Sequence, residues 1–371
     1  MAKEKGGHGN MITGLKYRID PNDLTQTAPV IVKLFKKGED DEMNFYKKVN
    51  ELANPNLNII EGAINKARAK KKKKTFKKLN DFMPKWYSNK GEHHTWDTLD
   101  KKLFAPSDAF VELKEEKNLQ YLVLEDSTFK NGYQIDLKMG TRRFDSNAID
   151  NHNKCVVHKK GKTKVEIQLG KREDSEMIKK YGVNIVAGVA PYSESCVNKE
   201  KSDKKCIMGD QNSKKLDKKL KENTREKVKR SLFNVFLPKD KYCCLREKLT
   251  NIKTLFEEDL KLYGLHFFGS SLFITLSDNL KFLRLKMIDF AHVEASPQAK
   301  YPFSTGFKEF KIEKDINKLC KNKNIYVSVE ENAKDTGYIL GLNTLLGMID
   351  DEIEKGSCLS RTPCLQLKLK F

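Results

Sequence analysis

Long apolar runs are missing from this chain: nothing in its 371 residues approaches the roughly 18 consecutive apolar residues of a membrane span. Met1-Ala2-Lys3-Glu4-Lys5 has no apolar segment behind it, which argues against a signal peptide, and the expected location is cytoplasmic, nuclear or both. Paired CxxC knuckles are missing too. The eight cysteines (Cys155, Cys196, Cys206, Cys243, Cys244, Cys320, Cys358, Cys364) are scattered and read as free thiols. His152-x-x-Cys155-x-x-His158 offers three metal ligands with no evident fourth. Neither G-x-x-x-x-G-K-[ST] nor G-x-G-x-x-G occurs, Gly6-Gly7-His8-Gly9 being the nearest glycine cluster, so a P-loop NTPase is set aside. No repeat of roughly 20 to 50 residues is visible, which removes solenoids and propellers.

What is abundant is positive charge. Lys and Arg number 71 against 51 Asp and Glu, a net +20, so the average field attracts polyphosphorylated metabolites, nucleic acid or acidic lipid. Hydrophobic residues at 38% still suffice for a core. The length suggests two lobes sharing a cleft, or one domain carrying inserts. The basic run Lys66–Lys78, with Lys70–Lys74 unbroken, is expected to be a solvated insert, weakly attractive to nucleic acid or acidic membrane. Further charged inserts are expected near 150–180 and 197–230.

Between the charged stretches the periodicity is legible. Pro29-Val30-Ile31-Val32-Lys33-Leu34-Phe35 reads as a strand carrying one lysine, followed by a helix with Phe45 and Val49 on one face and Glu42 a turn earlier, so that Lys33 and Glu42 are free to meet. Tyr121–Leu124, Ile135–Met139 and Gly182–Val189 read as further strands. Leu245, Leu249, Ile252, Phe256 and Leu260 mark an amphipathic helix ending near Gly264. Leu272–Leu276 and Phe282–Ile288 form a hairpin around Ser277-Asp278-Asn279 and deliver Asp289 at the end. After the capping composition Asp335-Thr336-Gly337, a core helix places Tyr338, Leu342, Leu345 and Ile349 on one stripe.

Three segments thus set ionisable residues in or beside apolar strands: Lys33, the Asp136/Lys138 pair, and Asp289. In Ile135-Asp136-Leu137-Lys138-Met139 the alternation sends Asp136 and Lys138 to one face. Alone, that pair reads as a surface salt bridge. In company it supplies what phosphoryl transfer needs: a lysine on nucleotide phosphates, an acid for a metal ion, and a polar pair to orient the attacking hydroxyl and neutralise the moving phosphoryl group.

These residues resemble the inositol polyphosphate kinase family, whose hallmark Pro-x-x-x-Asp-x-Lys-x-Gly is matched by Gly132-x-x-x-Asp136-Leu137-Lys138-Met139-Gly140, with glycine in place of the proline. Ser270-Ser271-Leu272-Phe273 is similar to the family's Ser-Ser-Leu-Leu block, and Met287-Ile288-Asp289-Phe290-Ala291-His292 to its Ile-Asp-Phe motif. Lys33 with Glu42–Tyr46, Leu124-Glu125-Asp126, and Asp335–Leu342 extend the likeness in the right order.

The resemblance implies an α+β, two-lobed fold related in outline to protein kinases and SAICAR synthase, with ATP between an antiparallel-sheet N-lobe (1–127) and a larger α+β C-lobe (128–371). It also implies roles. Lys33 would hold the α/β-phosphates with Glu42 as its partner, and Glu125 and Ser127 would meet adenine through their backbone. Asp136 would orient the attacking inositol hydroxyl, Lys138 would bridge substrate and γ-phosphoryl, and Asp289 would bind Mg²⁺. Ser271 would contact phosphate, while Arg142, Arg143 and His292 would face the substrate. Gly6–Met11 and Phe82–Tyr87 look more like the hexakisphosphate kinases, which make pyrophosphates, than the trisphosphate 3-kinases, with multikinase activity as the near alternative. The contrasting reading is a basic nucleic-acid or membrane binder with a vestigial kinase site.

Overall fold

The structure, a computed structural model, describes residues 3–6, 9–20, 23–36, 41–55, 63–87, 103–104, 119–141, 157–159, 162–163, 180–191, 206–208, 224–296, 298–301 and 334–354. The chain divides into two compact units, one reaching to Ser127 and one beginning at Thr128. No described helix is long and apolar enough to cross a membrane.

The first unit is built on an antiparallel sheet. Strand β1 (Lys3–Gly6) pairs antiparallel with β2 (Gly9–Asp20), with Gly6 opposite Gly9. β2 pairs β3 (Asp23–Lys36) and the short β4 (Leu103–Phe104), and β3 pairs β5 (Leu119–Glu125). One sheet face buries Leu15, Tyr17, Val30, Val32 and Val123 together. Helix α1 (Asp41–Ala53) buries Glu42, Phe45, Tyr46, Val49 and Ala53, a helical stripe starting in its first turn.

The lysine-rich run departs from expectation. Expected as a solvated insert, it forms helix α2 (Ala63–Phe82), packed against α1. Ala69, Phe76 and Leu79, with Met83 just beyond, are buried and recur at helical spacing, so the apolar residues hidden among the lysines suffice to fasten one face. The next residues pair beside β5: Trp86 bridges Leu124, Tyr87 N–H donates to Val123 O and Glu125 N–H donates to Lys85 O.

The second unit holds an antiparallel sheet ordered β10 (Cys206–Met208), β9 (Val183–Ala190), β6 (Tyr133–Met139), β12 (Ser271–Leu276), β13 (Leu283–Ile288). A small hairpin, β7 (Val157–Lys159) with β8 (Lys162–Thr163), is what is described of the expected 150–180 insert. Of the 197–230 insert, β10 and helix α3 (Thr224–Lys229) are described. α4 (Tyr242–Thr254) runs on through wider turns to Asp259 and stops at Gly264, whose φ of 66° suits glycine. β11 (Leu265–Phe267) pairs β14 (Val293–Ala295), and α5 (Thr336–Glu352) closes the unit. Tyr338, Leu342, Leu345 and Ile349 are all fully buried along α5. The α+β class is the one expected. Cys243 and Cys244, in the first turn of α4, are disulfide-bonded, against the expectation of free thiols.

Candidate active site

The second sheet sorts its two faces by chemistry. Ile135, Leu137 and Met139 on β6, Leu272 and Ile274 on β12, and Leu285 and Met287 on β13 are buried on the core side. The other side carries Asp136 and Lys138, then Ser271 opposite Lys138, then Ile288 opposite Ser271. Residues directly opposite across a ladder share a face, so this register sets the end of β13 two strands from Lys138. Asp289 is the next residue, and Lys138 Nζ donates to Asp289 Oδ2 at 2.5 Å. The salt bridge made by Lys138 is thus with the acid from a segment 151 residues away.

Two backbone features hold this meeting point. Asp289 has φ of 64°, the left-handed region that an L-residue adopts at a penalty and that is enriched where function demands a particular side-chain aim. Its neighbour Phe290 is buried in an aromatic cluster, with Phe267 at 6.2 Å; Phe256 and Tyr338 stack at 4.4 Å in the same group. Core packing therefore fixes the residue that follows the acid. On the β6 side, Met139 N–H donates to Ser270 O and Gly140 N–H to Gly182 O, clamping the strand end just beyond Lys138.

The hydroxyls of Ser270 and Ser271 are buried with no hydrogen-bond partner among the described residues. A buried hydroxyl left unsatisfied costs about 1–3 kcal/mol, and a bound anion is one way to relieve it. Lys286, which the sequence reading did not single out, lies on the same sheet side, in the row Asp136, Phe273, Lys286. Its signal was the alternation of Leu283-Arg284-Leu285-Lys286-Met287, the same period that exposed Asp136 and Lys138. His292 contributes its carbonyl to Phe268 N–H. Arg142 and Arg143 lie outside the described residues.

Gly132, where the family hallmark has proline, has a local reason. Its N–H donates to Phe129 O at 2.9 Å, and a Cβ would come within 2.4 Å of Leu276 O. Proline supplies neither the donor nor the space.

In the first unit, Lys33 Nζ donates to Glu42 Oε1 at 2.9 Å and Oε2 at 3.2 Å, joining β3 to the first turn of α1 as expected. The Glu42 side chain is only 5% exposed, so this is an ion pair well removed from water. Glu125 is held on both sides by Lys85: its N–H donates to Lys85 O, and its carboxylate accepts from Lys85 N–H at 3.1 Å. The Glu125 carboxylate therefore ties the 83–87 segment to β5. Ser127 is buried at the end of this unit. Nearby, burial pushes the Tyr87 hydroxyl up to about 12, helped by the charges of Glu125 and Tyr17, and burial raises Tyr17 to about 12 as well.

Among the described residues no group of three or more His, Cys, Asp and Glu is placed to hold a metal. A Mg²⁺-type ion is commonly held by one or two carboxylates together with the substrate's phosphates. Asp289 is 38% exposed and able to serve as such a carboxylate.

A polar sheet face presenting a lysine, a carboxylate at a strand end and unsatisfied hydroxyls is the equipment of a phosphotransferase. The family model described as "Inositol polyphosphate kinase" matches residues 121–350, more than half of the chain, and the chain belongs to the inositol polyphosphate kinase family. It is accordingly an inositol polyphosphate kinase, with the α+β fold of that family. Among solved structures, the inositol phosphate multikinase Ipk2 of S. cerevisiae, in complex with ADP and Mn²⁺, is 15% identical over 74% of this chain and 90% of its own, with a TM-score of 0.39. A structure from studies and protein engineering of inositol phosphate multikinase is 13% identical over 84% of this chain and 99% of its own, with a TM-score of 0.42. No curated protein sequence matches.

Proposed function

We propose that the chain transfers the γ-phosphoryl group of ATP, with Mg²⁺, to a highly phosphorylated inositol, hexakisphosphate or pentakisphosphate, giving a pyrophosphate. The observation that carries the reading is the meeting of Lys138 with Asp289 on the polar side of the second sheet. Asp289 would hold the divalent ion, whose chemistry when bound is to neutralise charge on the phosphates. Lys138 would then turn to the transferring phosphoryl group and stabilise charge as it develops. Asp136, one row along the same face, would accept the hydrogen bond of the attacking oxygen. Because such transition states are loose, positioning should matter more than proton removal. Ser270 and Ser271 would donate to phosphate oxygens, and Lys33, steadied by Glu42, would hold the nucleotide's α/β-phosphates. The backbone at Glu125 and Ser127 would meet adenine. For the acceptor, Arg142, Arg143 and His292 are the proposed contacts. The preference for the most phosphorylated inositols is supported by the net charge of +20 and by the likeness of Phe82–Tyr87 to the hexakisphosphate kinases.

The test is incubation of purified protein with Mg-ATP and a panel of inositol phosphates, with chromatographic identification of products. A pyrophosphate from the hexakisphosphate is expected. Products confined to less phosphorylated inositols would replace this reading by multikinase or trisphosphate 3-kinase activity, and transfer to none of them would overturn the assigned chemistry.

A further inference from the structure

Helix α2 carries nine cations, Lys66, Arg68, Lys70–Lys74, Lys77 and Lys78, and a single acid, Asp81. Its two sides differ sharply. Ala69, Phe76, Leu79 and the following Met83 are buried, whereas Lys66, Lys70, Lys74 and Lys77 are exposed. At 3.6 residues per turn those four lysines fall within a sector of about 80°, and at 1.5 Å per residue they form a row about 16 Å long. Asp81 ends the row one turn beyond Lys77. None of the four has an ion-pair partner among the described residues. Lysines four apart on a helix repel one another, so the row is a local electrostatic penalty that an anionic surface would relieve.

We propose that this row is a docking surface for an anionic lipid bilayer, independent of which inositol phosphate the enzyme uses. The chemistry of the sector favours a flat, continuous anion over a nucleic acid. It holds lysine alone among cations, Arg68 lying outside it; it has no aromatic side chain to stack on a base and no Asn or Gln to read a base edge. A straight row on a convex helix meets a plane of headgroups along its whole length without needing a register. The apolar side is already packed within the protein, so the helix would not insert, and the contact would be electrostatic, reversible and screened by salt.

The full chain should cosediment with vesicles of phosphatidylcholine mixed with phosphatidylserine at low salt, and not with phosphatidylcholine alone. The triple replacement Lys66→Glu, Lys70→Glu and Lys74→Glu should weaken that binding by about 100-fold. A control with the same change in net charge, at exposed positions of the second unit (Lys239→Glu, Lys281→Glu, Lys300→Glu), should lose only a few-fold. Replacing the same α2 lysines by Gln should give a smaller loss in the same direction, and circular dichroism should show helix content retained in each variant. Absence of vesicle binding in the parent chain overturns the proposal, as does an equal loss in the control, which would assign the attraction to the overall charge. Tighter binding of duplex or single-stranded RNA, abolished by the α2 triple and competing with vesicles, would overturn it in favour of a nucleic-acid partner. Transfer from ATP to soluble inositol phosphates should be unchanged in both triples, which separates this proposal from the assignment of the reaction.

Discussion

Lys138 and Asp289 are where one substitution says most. Because Asp289 sits at φ of 64°, alanine there would change the backbone as well as the charge, whereas asparagine tolerates the left-handed region. Asp289→Asn is therefore the cleaner probe. It should lower kcat by about 10²–10³-fold or more while thermal unfolding stays near that of the parent; a variant that turns over normally would remove Asp289 from the chemistry. Lys138→Met should behave alike. Glu42 poses a different question, since its partner Lys33 is mostly buried with it. Glu42→Ala should destabilise the chain by about 3 kcal/mol in denaturant titration, because it strands a buried ammonium. It should also raise KM for ATP by loosening Lys33. Replacing the pair together, Lys33→Met with Glu42→Leu, should cost less stability than Glu42→Ala while abolishing activity.

At the scale of elements, glycines decide how close backbones come. α5 lies on the ends of β6 and β9 through Gly337 and Gly341: a Cβ at Gly341 would fall 2.2 Å from Gly182 O, and one at Gly337 would fall 2.5 Å from Thr141 Oγ1. Asp335 caps the same helix, accepting from Tyr338 N–H with one oxygen and from Phe267 N–H with the other, so one carboxylate pins α5 to β11. Gly341→Ala should therefore destabilise by about 1–3 kcal/mol, although alanine is the better helix former. Denaturant unfolding measures it, and a stabilised variant would show that α5 can shift away. Restoring the family residue, Gly132→Pro, should also destabilise, by about 2 kcal/mol, through loss of the hydrogen bond to Phe129 O and collision with Leu276 O. Resemblance to a motif would recommend that change; the turn in front of β6 forbids it.

Across the second unit as a whole, charge is arranged against a helix dipole. α5 ends in Asp350, Asp351 and Glu352, acids at the end where a helix favours cations. Arg225 and Lys229 from α3 reach Asp351, Lys229 reaches Glu352, and Arg246 from α4 reaches Asp350. Hydrogen bonds from Arg225 and Lys229 hold the Asp351 carboxyl below its ordinary range. A group depressed on folding contributes stability above its unfolded value, about 3.9, and that contribution is lost as pH falls through the folded value. Burial works to lower Lys229, but its hydrogen bonds to Glu352 and Asp351 raise it overall, so its share is lost only at alkaline pH. The thermal midpoint should consequently fall below about pH 4, and Asp351→Asn should lower it near neutrality while flattening that acid limb. Identical acid limbs would place the sensitivity elsewhere.

Residue order by itself determined most of the elements. Period-two alternation marked β6, β12 and β13, helical spacing marked α1, α4 and α5, and motif order marked Lys33, Asp136, Lys138 and Asp289. These signals are local, set by which side of a strand or helix faces water. They did not reveal that α2 was folded, because its anchors, Ala69, Phe76 and Leu79, are few among many lysines and declare themselves only when α1 covers them. Nor did they foresee the partner of Lys138. Asp136 is two residues away and Asp289 is 151 away, yet antiparallel register brings Lys138, Ser271 and Ile288 into one row and puts Asp289 next. That choice belongs to tertiary structure, because a ladder pairs residues by strand order in space, and spacing along the chain carries no record of it.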